Sequence, residues 1–282
     1  MLDLKIRSNW RAGYVERCKS GSEGGYGKPA KIEGVYYLPY KTTTAVNLAT
    51  SLAKKKKKVL LIDIDPQGNA TSGLGIDKKD IKSSIYDVII GEDSIKDVLL
   101  HTKVDKLSIC PSNIELAGAE VELVTMISRE NRLKEKVLEV TELFDYIIMD
   151  CPPSLGLLTL NALTASNSLL VPIQAEYYAL EGLSQLMNTV KLVQKYLNTK
   201  LEIEGVLITM YDSRTNLANQ VYEEVKKHFS KKVYKTIIPR SVKLSEAPSF
   251  GLPILLYDPK SKGAECYKEL AKEIISSNGE VK

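Results

Sequence analysis

Two apolar runs of this 282-residue chain stop on carboxylates: Val59-Leu-Leu-Ile-Asp63-Ile-Asp65 and Tyr146-Ile-Ile-Met-Asp150. A run with no polar residue on either alternating side has both faces covered, as a strand inside a parallel sheet layered with helices does. Alternation puts Asp63 and Asp65 on the same side of the first run. Turn chemistry follows each run at once, Pro66-Gln67-Gly68 in one case and Pro152-Pro153 in the other. Proline cannot extend a ladder, so the acids are left at the C-terminal edge of the sheet. Open α/β sheets form their ligand crevice at that edge.

The rest of the chain keeps the same rhythm. Strands are expected at Val59–Ile64, Leu107–Cys110, Tyr146–Asp150, Leu169–Ile173, Ile203–Thr209, Val233–Ile237 and Ile254–Leu256, with a short first strand at Val35–Leu38. Apolar residues at three- and four-residue spacing predict helices over Thr42–Lys55, Asn113–Met126, Asn131–Leu143, Gly156–Thr164, Ala179–Leu197, Arg214–Phe229 and Gly263–Ile275. The region Gly73–Lys106 reads as a peripheral connection carrying short helices. This alternation predicts an α/β fold, a doubly wound and mostly parallel sheet with helices on both faces. Residues 32–282 read as a single domain. Residues 1–31, with Trp10 and the glycine-rich stretch Gly21–Gly27, are expected to be poorly ordered or aberrant.

Composition narrows the function classes. No apolar run approaches the ~18 residues that span a bilayer, and the charged start Asp3, Lys5, Arg7 does not read as a secretory signal, so a cytoplasmic location is expected. Cys18, Cys110, Cys151 and Cys266 are widely separated, which argues against a disulfide framework or a zinc site. The net charge of +4 is only mildly basic. The run Lys54–Lys58 falls where the first helix should end, where cations meet the negative end of the dipole. A solvated helix terminus and a nucleic-acid patch are the two readings of that run.

Lys41-Thr42-Thr43-Thr44 opens the first helix, whose unpaired N–H groups favour an anion. In a phosphate-binding loop the lysine reaches the β- and γ-phosphates and the next hydroxyl binds Mg²⁺. A lysine, a hydroxyl and strand-end acids are the inventory that phosphoryl transfer uses, and Asp150 has the position of an acid that holds a Mg²⁺ shell.

From Lys41 to about Ile275 the chain resembles the ParA/Soj group of partitioning ATPases, P-loop NTPase-like relatives of the MinD cell-division ATPases. The stretches that carry the resemblance are KTTTAVNLA, VLLIDIDPQGNATSGLG, YIIMDCPPSLGLLTLNAL, VPIQAEYYALEGL, LITMYDSRTNLA and IPRSVKLSEAPSFGLPI. The resemblance implies ATP and Mg²⁺ as cofactors, a homodimer on ATP binding, non-specific binding of double-stranded DNA at the nucleoid, and hydrolysis stimulated by a ParB-type partner. It implies that Lys41 contacts phosphates and acts in catalysis, with Thr42 and Thr43 also binding ATP. Thr42, Asp63 and Asp150 would serve the metal, and Asp65 would position the hydrolytic water. Pro239 and Ser241 would line the adenine pocket, and Arg240 with Lys243 would contact DNA. Lys231, Lys232 and Lys235 add to that positive charge in the sequence. The tail Ser276–Lys282 is short and polar, unlike the basic amphipathic helix of membrane-binding relatives.

The segment before Lys41 departs from the family pattern Lys-Gly-Gly-x-Gly. Tyr36 stands at the signature lysine, and Tyr37, Leu38 and Tyr40 stand at the glycines. Side chains there carry Cβ atoms where the backbone must approach phosphate, and Pro39 has no N–H to donate. A catalytically impaired relative that keeps DNA or partner binding is therefore the second reading, and a frameshifted, rearranged or misassigned origin for residues 1–40 is a further one.

Overall fold

The computed structural model describes residues 31–35, 41–177 and 179–279. Within them, β1 (Lys31–Val35), β2 (Val59–Asp63), β3 (Leu100–His101), β4 (Leu107–Cys110), β5 (Tyr146–Asp150), β6 (Ser168–Gln174) and β7 (Glu202–Thr209) build one sheet. Their order is β3-β4-β2-β5-β1-β6-β7. Only the β3–β4 pair is antiparallel. The mostly parallel, doubly wound α/β sheet is the one the sequence predicts.

Alternate residues of the buried strands feed opposite layers. Leu60, Ile62, Ile147 and Met149 enter one core, and Val59, Leu61, Tyr146 and Ile148 enter the other. This two-sided demand explains why β2 and β5 read as unbroken apolar runs. The chain leaves β1 for β2 beyond one neighbour, and leaves β5 for β6 beyond the other. The crossovers therefore diverge, and the C-terminal ends of β1 and β5 lie at the point where such sheets open a crevice.

Helix α1 (Lys41–Lys54) starts at that edge, and its residues Thr44 to Ala53 are buried throughout. Leu48 and Leu52 are fully enclosed, each worth about 1.5–3 kcal/mol of burial. At its far end Lys56 N–H donates to the Ala53 carbonyl (2.8 Å) and Lys57 N–H to that of Leu52 (3.2 Å). This is a Schellman closure with Lys56 in the left-handed position, φ 67°. Glycine takes that conformation freely, whereas a side chain there costs about 1 kcal/mol or more.

Two strand expectations are corrected. β1 is Lys31–Val35, and the expected strand Val35–Leu38 shares Val35 with it and otherwise lies outside the described residues, as do residues 1–30 of the expected poorly ordered segment. Lys31 tolerates the sheet because its ammonium meets Glu204 at 2.7 Å and Asn278 Oδ1 at 2.6 Å. The Val233–Ile237 segment runs beside β7 without becoming a strand. Tyr234 and Ile238 donate to Val206 and Ile208, but the Lys235 and Thr236 N–H groups are captured by the Glu273 carboxylate at 2.7 and 3.1 Å, which interrupts the ladder. Ile254–Tyr257 is a short helix, not a strand. Pro253 heads it, and the Pro253 carbonyl accepts from Leu256 and Tyr257. The helices Leu116–Glu122 and Arg132–Leu138 are shorter than their sequence patterns suggest.

Candidate active site

Lys41 is the first residue of α1 and is 7% exposed. Its ammonium donates to Asp65 Oδ2 at 3.2 Å and to the Cys151 carbonyl oxygen. One cation thus ties the start of α1 to the turns after both β2 and β5. Asp65 is itself turned inward by its own loop, Oδ1 accepting from Gln67 N–H (3.0 Å) and the carbonyl from Gly68 N–H (2.8 Å). Gly68 has φ 58°, and a Cβ there would lie 2.8 Å from the Ser112 carbonyl oxygen. Only glycine fits that turn without displacement.

Asp63 and Asp150 are direct cross-strand partners in the β2–β5 register, and both are fully buried. Their surroundings differ sharply. Asp63 Oδ2 accepts from Thr71 N–H (2.8 Å) and the Thr71 hydroxyl (2.7 Å), and Oδ1 faces Asp65 N–H at 3.2 Å. The Thr71 hydroxyl also accepts from Ser112 N–H at 3.0 Å. Asp63 therefore anchors α2 (Asn69–Gly73) and the end of β4 to β2. Among the described residues neither carboxylate oxygen of Asp150 has a partner at full hydrogen-bond geometry, although the Thr42 hydroxyl lies close enough to favour its ionised form.

Burial pushes the Asp63 carboxyl above the ordinary carboxylate range, and the Thr71 donors offset part of the rise. Burial pushes Asp150 up as well, the Asp63 charge adds to it, and Lys41 and the nearby Thr42 hydroxyl offset part. An orphaned buried carboxylate beside a threonine hydroxyl and an ammonium is a hard-oxygen site for a small cation with its phosphate ligands. Among the described residues there is no group of three or more His, Cys, Asp or Glu able to hold a metal ion. Mg²⁺ asks for no such cage, taking one or two carboxylates plus waters and substrate phosphates. The residues present fit it.

The other predicted residues fall in three places. Thr43 lies on the first turn of α1, its carbonyl accepting from Asn47 Nδ2 at 2.8 Å. Pro239 bridges Tyr211 just past β7, and Arg240 N–H donates to the Tyr211 carbonyl (3.1 Å). Arg240 is exposed there beside Asp212. Lys243 is paired with Glu246 at 3.2 Å and sits 5.6 Å from the Tyr257 ring centre. Lys231 and Lys232 precede Val233, which bridges Val206 at the middle of β7, and Arg240 follows Pro239, which bridges Tyr211 past its end, so the lysines and arginine that look clustered in sequence are spread along the sheet edge.

A cavity of about 430 Å³ opens beside Thr42 and Thr43, walled by Asn69 and Ser72 of α2 and by Ala247 and Pro248. Pro239 and Ser241 do not line it. These wall residues escaped the sequence reading of the site, although both GNATSG and SEAPSFG stand within the stretches that carried the resemblance. Asn47 closes this wall, its Oδ1 accepting from Ile254 N–H at 2.7 Å.

A switch-point crevice, a lysine at a helix start and facing strand-end acids define the P-loop NTPase class. Similarity to known proteins narrows it. The family described as "AAA domain" matches residues 40–203. The chain is 63% identical over 239 residues to the sporulation initiation inhibitor protein Soj of Bacillus subtilis, covering 85% of this chain and 94% of that protein. It is 51% identical over 258 residues to the chromosome partitioning protein ParA of Myxococcus xanthus, covering 92% and 87%. It is similar in structure to cobyrinic acid a,c-diamide synthase from Mycobacterium smegmatis, solved with bound ADP and magnesium, at TM-score 0.76, 35% identity and coverage of 86% and 93%. The chain belongs to the ParA/Soj family of chromosome-partitioning ATPases.

Proposed function

We propose that the chain is a partitioning ATPase that binds Mg²⁺-ATP at the α1 start, dimerises in that state, holds double-stranded DNA without sequence preference at the nucleoid, and responds to a ParB-type partner. The observation that carries this reading is the orphaned Asp150 carboxylate facing Asp63, beside Thr42 and Lys41. Bound Mg²⁺ supplies neutralisation of phosphate charge as the γ-phosphoryl leaves.

Each residue has a task that its geometry allows. Thr42 and Asp150 would hold the metal, and Asp63 keeps α2 and the Asp65 turn in place beside it. Lys41, released from Asp65 and the Cys151 carbonyl, would turn to the phosphates. Asp65, released in the same movement, would orient the attacking water. Thr43 would contact the nucleotide, Pro239 and Ser241 would border the base, and Arg240 with Lys243 would meet the DNA backbone. Residues 32–282 act as one domain in this reading. A soluble, cytoplasmic setting suits it, and no described helix is long and apolar enough to cross a membrane.

The relatives favour this reading over the impaired one, and the segment before Lys41 is where it is tested. Calorimetric titration with Mg²⁺-ATP compares the chain with the variant Tyr36→Lys, Tyr37→Gly, Leu38→Gly, Pro39→Val, Tyr40→Gly. Binding by both, lost on Asp150→Ala, is the expected result. Binding by the variant alone would show that Tyr36–Tyr40 disables the site and would sink the ATPase activity of this chain. Binding by neither would overturn the nucleotide site itself.

A further inference from the structure

Helix α1 ends in charge that the proposed function does not use. Lys54, Lys55, Lys56 and Lys58 are exposed, and among the described residues no carboxylate pairs with any of their ammonium groups. Lys106 joins them from the turn before β4. Its backbone carbonyl accepts from Val59 N–H at 2.9 Å, and its ammonium approaches the Lys56 carbonyl at 3.4 Å. Two acids lie nearby: Asp145 accepts the Lys58 backbone N–H at 2.7 Å, and Glu269 pairs with Lys272 at 2.5 Å while also feeling the Lys55 charge, which leaves the cluster with more cations than acids.

Two of these lysines stand where the backbone asks for glycine, Lys56 at φ 67° and Lys106 at φ 64°. A helix terminus needs only solvation, and glycine would close both turns without strain. Strain kept at two adjacent turns, with a cation each time, points to a role for the charge. We infer that Lys54, Lys55, Lys56, Lys58 and Lys106 form a second contact for the phosphate backbone of duplex DNA, at the edge of the sheet opposite Arg240. The inference rests on the DNA-binding reading above and assigns it a further surface. An anionic membrane is the competing polyanion, but it also needs apolar side chains to bury. Ile114, Val121 and Ile127 are exposed on other elements, and Leu143, two residues before the Asp145 that bonds Lys58, is a single half-exposed apolar side chain rather than a face to bury.

The test measures anisotropy of a labelled random-sequence duplex with the full chain in Mg²⁺-ATP across a salt series. The proteins compared are the parent, Lys54→Gln/Lys55→Gln/Lys56→Gly, Lys56→Gly alone and Arg240→Ala. The triple variant is expected to bind about tenfold more weakly, with a plot of log affinity against log salt shallower by roughly 2–3, near 0.9 for each phosphate that is no longer neutralised. ATP turnover should be unchanged. Lys56→Gly should weaken DNA binding while raising the thermal midpoint, so a damaged fold cannot explain the loss. Unchanged affinity and slope in the lysine variants, with Arg240→Ala still weakening binding, would overturn this surface and leave the DNA-binding reading standing. A parent that turns over ATP yet ignores DNA would overturn both. Loss of binding to phosphatidylglycerol vesicles with DNA binding intact would overturn it in favour of a lipid surface.

Discussion

The two ends of α1 treat charge in opposite ways. At the first, Lys41 is buried among Asp63, Asp65 and Asp150, and two of those acids face each other across adjacent strands with their ionised forms disfavoured by burial. At the second, lysines stand in water around a strained turn. Charge that is costly to bury has been retained where a ligand would compensate it, and charge that is free to solvate has been placed on a backbone that resists it. Neither end is the arrangement stability alone would favour, which marks both as working surfaces of different kinds.

The largest effect expected at the buried end comes from Lys41→Met. Among the described residues it removes the one cation bonded to Asp65, and breaking such a buried pair costs about 3–5 kcal/mol. Denaturant unfolding at neutral pH should show it, and ATP turnover should fall by roughly 10²–10³-fold with the phosphate-directed cation gone. An unchanged unfolding midpoint would mean that the pair is solvated and that the two ends of α1 hold their charge alike.

Gly68→Ala tests the same end through backbone rather than charge. The new methyl would meet the Ser112 carbonyl oxygen at 2.8 Å in a left-handed turn, so Asp65 should be displaced and stability should drop by about 1–3 kcal/mol. Thermal unfolding reads the loss, and a neutral result would show that the turn adapts freely.

Asp150→Asn should act in the other direction. In the nucleotide-free protein it removes one of two facing acids whose folded-state protonation is favoured by burial. Because both carboxyls are raised, to about 6 and about 8, these two groups hold more protons in the folded protein than in the unfolded chain between pH ~4 and about 8, and the stability they contribute is lost as pH rises through that window. The variant should be more stable at pH 7 by about 1–3 kcal/mol, with a flatter pH profile, while losing the extra stabilisation that Mg²⁺-ATP confers on the parent. A destabilised variant would show that Asp150 is a structural acid rather than one held ready for a cation.

How much of this contrast could be read from sequence follows from where each determinant lies. β2, β5 and their acids were legible because burial on both faces and a proline after each strand are local properties. The lysine at the helix start was legible for the same reason. The strand residues Lys31 to Gly34 escaped the sequence because Lys31 and Glu33 break the apolar pattern, and Lys31 finds its partners at Glu204 and Asn278, far along the chain. The segment at Val233 failed as a strand through Glu273, 38 residues from Lys235. The cavity wall depends on Asn47 meeting Ile254 across 207 residues, which no local pattern reports. The strain at Lys56 was invisible for a simpler reason: a lysine run states charge, and only the backbone angle states that one of its members occupies a glycine position.

That last point supplies the smallest effect and the cleanest. Lys56→Gly keeps both closing hydrogen bonds of the α1 terminus, because both donors are backbone N–H groups. It relieves the left-handed strain while giving glycine's extra freedom to the unfolded chain, and at φ 67° the first effect dominates. The expected gain is about 1 kcal/mol, or roughly 2–4 °C in thermal midpoint for a chain of this size. Lys56→Ala shares the loss of charge but not the relief, so it should leave the midpoint near that of the parent. If the two variants shift the midpoint equally, the gain is removed lysine repulsion rather than backbone, and the case for a cation kept against strain at this end of the helix falls with it.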